Sequence, residues 1–252
     1  MSESKYSSIA TVGGVKIYRV STVVPATDSP FPDVILYKSE MTIDGDGGPH
    51  TYNPSDTGLD FLANGGYPDD GCYGMVTDPA DSKDSADCVI QAMYHPAPGF
   101  FVSATSLQNT AFPTENPDRY INSEEIPFIA VPGGHDSPNV PGWDSFGVAL
   151  GDVAFVWNTA NDDNCFALVA DVGPSTHVGE GSIKLAMALG LNGSPKHGGT
   201  ESPTIVYLLF PGSIGKWTPP DHWFPIASAL LKAWGGWARL KALVAEIYGV
   251  TV

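Results

Sequence analysis

The 252 residues carry 28 acidic and 12 basic side chains, a formal charge of −16, together with 28 glycines and 22 prolines. That balance argues against nucleic acid or an anionic membrane as partner, since both need clustered Lys and Arg. With 42% hydrophobic residues the chain can bury a sizeable core, and it has no apolar run near the ~18 residues of a membrane helix.

Met1-Ser2-Glu3-Ser4-Lys5 lacks the charged-then-apolar pattern of a secretory signal. Runs rich in β-branched and aromatic residues, bounded by Gly, Pro, Asn and Asp, predict strands over 15–24, 33–43, 99–105, 128–131, 148–157, 165–171 and 204–210. Between Asp28 and Asp87 lie 13 acids (twelve Asp and Glu40) against Lys38 and Lys83 alone. Such an excess serves solubility, or it sets a negative field near a cleft that gathers a cationic substrate. Cys72 and Cys88 flank an acidic loop between two short apolar runs, where hairpin geometry would let them pair. Cys165 sits in an apolar run and reads as a buried free thiol. No Cys-x-x-Cys or His-x-x-x-His spacing supports zinc.

Two helices are expected. Ser182 can cap a helix over 183–189 that stops at Gly190. A second begins near Pro225 and runs towards Tyr248, with Gly235-Gly236 as a bend or an interruption. Many strands with few helices predict an α+β, β-rich chain: a barrel-like or sandwich β core with peripheral helices and long loops. One catalytic domain over 1–252 is expected, with the turn-rich stretch 132–142 as a candidate subdomain boundary.

The segment Asp171-Val172-Gly173-Pro174 to Val178-Gly179-Glu180-Gly181-Ser182 supplies two carboxylates from one strand-end loop. Rigid scaffolds present reactive groups at such places, and glycines on both sides of Glu180 allow unusual backbone angles or close approach of a ligand. A pair of carboxylates suits glycoside hydrolysis, one as acid and one as base or nucleophile. On the residues alone, Asp171 is equally a turn former and Glu180 a helix-end charge. Asp44-Gly45-Asp46 suggests calcium, but an EF-hand loop begun at Asp44 would place Ser55 where the bidentate Glu belongs, so no metal is expected.

These two motifs resemble the signature of glycoside hydrolase family 75, the endo-chitosanases. Four more segments fit in the same order: Tyr37-Lys38-Ser39-Glu40-Met41-Thr42-Ile43-Asp44-Gly45-Asp46-Gly47, the stretch from Pro98 to Leu107, Ile126-Pro127-Phe128-Ile129-Ala130-Val131-Pro132-Gly133, and Leu150-Gly151-Asp152-Val153-Ala154. The likeness spans residues 33–212. It implies an extracellular enzyme that cleaves β-1,4 glucosamine linkages of chitosan, a cationic polysaccharide, by an inverting two-carboxylate mechanism without a cofactor. Asp171 and Glu180 would be catalytic, and Tyr37, Asp44, Asp46, Gln91, Thr105 and Asp152 would be substrate contacts. A hydrolase of another glucosamine-containing polymer such as peptidoglycan, or a carbohydrate-binding protein without catalysis, is the alternative. Glu180 beside a helix start should be ionised and act as base, and Asp171, leaving an apolar strand, should be protonated and act as acid.

Overall fold

The computed structural model describes residues 6–21, 33–133 and 143–249. Its centre is an eight-stranded sheet of β1 (Tyr6–Val12), β2 (Val15–Val20), β3 (Val34–Asp44), β4 (Phe128–Pro132), β5 (Val153–Asn158), β6 (Asn164–Gly173), β7 (Glu180–Ser182) and β8 (Thr200–Phe210). The spatial order is β1-β2-β3-β7-β4-β6-β5-β8, and a further β3–β8 pairing closes six of these strands into a barrel. The α+β, barrel-like core expected from the sequence is therefore present. Strands on both sides of 132–142 belong to that one barrel, and residues 134–142 lie outside the described residues.

Period-two alternation divides the wall between two apolar clusters. Ile35, Tyr37, Ile129, Ala154, Val169, Ile205 and Tyr207 fill one, together with Leu185 and Ala186. Their strand neighbours Leu36, Phe128, Phe155, Leu168, Val206 and Leu208 join Trp223, Leu230, Leu240 and Val244 of two C-terminal helices in the other. A helix pair can pack only on the outside of so narrow a barrel, so the first cluster is the interior. The short helix α1 (Ile183–Ala188) starts as expected, with Ser182 Oγ accepting from Leu185 N at 3.1 Å.

The structure differs from expectation in several elements. The C-terminal helix is interrupted at Gly235, with φ 125°, one of the two outcomes expected of Gly235-Gly236, which leaves α2 (Pro220–Trp234) and α3 (Gly236–Tyr248). It begins five residues before Pro225, because buried Trp223 anchors an extra turn against the barrel. Strand β1 was not expected, although the Gly13-Gly14 turn, with both φ positive, is a hairpin signal. Residues 99–105 make isolated bridges, Met75↔Ser103 and Ile90↔Phe101, instead of a strand. They belong to the long connection 45–127 between β3 and β4, which has small apolar cores of its own around Tyr52, Met75, Phe101 and Val102. Strand β5 starts only at Val153, since Gly151 has φ 88° and the Asp152 carboxylate closes a turn back to Ala149 N. No helix among the described residues is long and apolar enough to cross a membrane.

Candidate active site

The site grows from one row of the sheet. Glu180 is the register partner of Ala130 on one side, and Asp171 is its partner on the other. Thr42 pairs Glu180 from β3. Cross-strand partners share a face, so Thr42, Glu180, Ala130 and Asp171 form a row across β3, β7, β4 and β6, and all four line a cleft of about 1050 Å³. Strict alternation would send Asp171 inward after Val169. A register shift opposite Ile129 and Ala130 inserts one extra residue in β6 and turns Asp171 out into the cleft. The other wall comes from the 45–127 connection, through Asp46, Tyr52, Asp60, Asn64, Tyr73 and Ser106.

The carboxylates sit in different surroundings. Asp171 Oδ1 accepts from Ser106 N at 3.0 Å, Ser106 Oγ at 2.6 Å and Val172 N at 2.7 Å. Burial raises its pKa, but these three donors oppose the rise by favouring the ionised form. Among the described residues no comparable donor reaches Glu180. Burial, then the charges of Asp171 and Asp60, push its pKa up to about 7. Its Oε2 lies against the Cα of Gly173, where a Cβ would collide with it. Burial thus raises both carboxyl groups: Glu180, expected to be ionised, is pushed up to about 7, while Asp171 is raised against three donors that favour its ionised form. Glu180 lies in β7, two residues before the Ser182 cap, so the helix end gives it no donor, whereas the 45–127 connection gives Asp171 two.

Asp44 and Asp46 close a tight turn, with Asp46 N donating to Asp44 Oδ1 at 2.7 Å. Thr51 Oγ1 and Ser123 Oγ both donate to Gly45 O, tying the turn to the connection. One oxygen each from Asp44, Asp46 and Asp171 lies within 4.8 Å of the others. Three oxygens would suit a hard cation but supply only part of the six to eight that calcium takes. Burial first, and then neighbouring acids, raise the pKa of Asp44 and of Asp46 well above the usual carboxylate range, while Tyr52 O–H, 2.6 Å from Asp46 Oδ1, pulls Asp46 back down. Asp60, which the sequence reading missed, is 4% exposed and also faces the cleft. It accepts from Phe61 N and Asn64 Nδ2, both at 2.8 Å.

Of the expected site residues, Asp171, Glu180, Asp44, Asp46 and Thr105 line the cleft. Thr105 Oγ1 is already committed to Leu107 O and Ile121 N. The remaining three lie elsewhere. Tyr37 is in the barrel interior, stacked on Tyr207 at 4.6 Å, because its position in β3 points inward. Gln91 is buried, its amide joining Pro49 O, Phe101 O and Ala97 N. Asp152 is fully buried and gathers Ala149 N, Gly212 N, Ile214 N and Ser213 Oγ, which makes it a loop tie. Cys72 and Cys88 are buried side by side as free thiols with sulfurs 2.6 Å apart, and Cys165 is half-buried.

No family model matches the chain, and a search of curated proteins finds no relative. The site therefore has to be judged on its own chemistry.

Proposed function

We propose that the protein is an inverting glycoside hydrolase acting within chains of β-1,4-linked glucosamine, with chitosan as substrate. One observation carries the reading: Asp171 and Glu180 flank Ala130 on one cleft-facing row and have opposite hydrogen-bonding environments. Residues two strands apart have Cα atoms roughly 9–10 Å apart, and the inverting stereochemistry is part of the proposal, to be read from the anomer first released.

In the proposed reaction Glu180, holding its proton near neutral pH, donates it to the glycosidic oxygen as the C1–O bond breaks. Asp171, whose three donors favour its ionised form, takes a proton from the water that attacks C1 on the opposite face of the sugar. The products are a new non-reducing end and a hemiacetal of inverted configuration. Glu180 is left ionised and Asp171 protonated, and exchange with solvent restores both. Asp60 lines the same cleft and supplies an acceptor for an ammonium group of the polymer.

The test is incubation with chitosan, chitin and peptidoglycan, alongside Glu180→Gln, following new reducing ends and the anomer first released. Glucosamine oligomers from chitosan, inverted at the new end and lost with Glu180→Gln, are expected. Binding without cleavage, cleavage of peptidoglycan instead, or a fully active Glu180→Gln protein overturns the reading.

A further inference from the structure

Three carboxyl groups crowd the Asp171 side of the cleft, and a two-carboxylate reaction uses only one of them. Asp44, Asp46 and Asp171 reach one another with oxygens no more than 4.8 Å apart. A water molecule donating to two acceptors at ~2.7–2.8 Å needs those acceptors roughly 4.3–5 Å apart. Oxygens within 4.8 Å of one another admit a water bridging two of them.

The three are not equivalent. Asp171 Oδ1 is fixed by Ser106 and Val172 N. Asp46 Oδ1 is fixed by the hydroxyl of Tyr52, a residue 2% exposed. The Tyr52 backbone carbonyl is itself held by Phe101 N at 2.9 Å. Gly74 leaves room for this contact, since a Cβ there would lie 3.0 Å from Asp46 Oδ1 and 3.2 Å from the Tyr52 ring. Among the described residues Asp44 accepts only from the Asp46 amide, and burial raises its pKa well above the usual carboxylate range.

We propose that Asp46 is a third catalytic carboxylate: with Asp171 it holds the attacking water by both hydrogens, and Tyr52 is the residue that positions it. The inference rests on the glycoside-hydrolase reading and assigns a further job at that site. A water bound to one carboxylate can swing about that bond, whereas two acceptors fix its lone pair towards C1. As C1 is attacked, one hydrogen passes to Asp171 and the other stays hydrogen-bonded to Asp46. The proton count of the reaction is unchanged.

The triangle would equally seat a substrate ammonium, and kinetics separate the two occupants. An ammonium subsite governs binding, while a water clamp governs the chemical step. The groups that face Asp46 are Asp44 from β3, Asp171 from β6, Glu180 from β7, and Tyr52, Asp60 and Tyr73 from the connection. Removing the Tyr52 hydroxyl takes away the donor that favours ionised Asp46, so Asp46 should protonate at higher pH.

The experiment is steady-state hydrolysis of a soluble glucosamine oligomer by wild type, Asp46→Asn and Tyr52→Phe, over pH and with and without chelator. For Asp46→Asn a kcat loss of about 100-fold is expected, with KM within about threefold of wild type. For Tyr52→Phe the expectations are a kcat loss of about tenfold, an unchanged KM, and an acidic limb of the kcat profile moved to higher pH. A structural role for Tyr52 would lower the melting temperature without moving that limb. A raised KM with steady kcat, an unmoved limb in Tyr52→Phe, or activity abolished by chelator overturns the proposal. If Asp46→Asn fails to fold, the limb in Tyr52→Phe decides alone. Wild type inactive on every glucosamine oligomer is a different result, and sinks the hydrolase reading itself.

Discussion

Glu180 is the residue whose surroundings say most about conditions of action. Its proton is retained up to about pH 7 by burial and by the Asp171 and Asp60 charges. In its proposed role of proton donor, it predicts activity that falls as pH rises through that value. Asp60→Asn removes one of the charges holding the proton, so the basic limb of the kcat/KM profile should move to lower pH; a limb that stays put or rises contradicts this electrostatic account. The same shift has a stability consequence. A carboxyl group raised from 4.5 to about 7 binds more protons folded than unfolded between those values, so its contribution is complete below about pH 4.5 and is lost as pH rises to 7. Melting temperature should fall across that window in wild type and fall less in Glu180→Gln.

At the scale of elements, the site depends on how β6, β4 and β7 lie side by side. Gly173, near the end of β6, makes room for the Glu180 carboxylate projecting from β7. Gly173→Ala should leave the barrel intact, costing about 1 kcal/mol or less in melting analysis. It should still cut activity about 100-fold by displacing the proton donor. An active Gly173→Ala protein would mean that Glu180 does not work from the position seen. The short helix α1 was legible because its cap and its stop are local: Ser182 bonds Leu185 N, and Gly190 has φ 71°. Strand β7 was not legible. Three residues, Glu180–Ser182, carry no strand periodicity, and they are a strand only because β3 and β4 lie on either side. The 99–105 stretch erred the other way: strand-like composition met partners only in single bridges.

For the whole molecule, the acid excess between Asp28 and Asp87 is brought to the candidate site in part. Asp44, Asp46 and Asp60 face the same cleft as Asp171 and Glu180, whereas Asp28 lies outside the described residues. The 45–127 connection that delivers them is irregular and relies on small cores, one of which contains Cys72 and Cys88. Oxidation should join this pair, 16 residues apart, and constrain the unfolded chain by about 3 kcal/mol. A mass loss of two hydrogens with a higher melting temperature, both reversed by reductant, is the expected result. An unchanged melting temperature after the bond forms would mean that this connection does not limit the stability of the fold.

The sequence by itself determined the β-rich class, the Ser182-capped helix and the pair of carboxylates in the 171–182 segment, because strand composition, caps and Gly-flanked acids are written in neighbouring residues. It also placed Asp44 and Asp46 among the site candidates. Only the tertiary structure decided which candidates meet. Tyr37, Gln91 and Asp152 were drawn into the core by hydrogen bonds and packing from residues far along the chain. Asp60 and Tyr52 reached the cleft through a connection with no periodic signal. The inserted residue in β6 turned Asp171 outward, against the alternation of its own strand, and donors from Ser106, 65 positions away in the chain, oppose the rise that burial gives its proton affinity. Side-chain direction and proton affinity depend on neighbours in space, and here those neighbours come from four strands and a long connection.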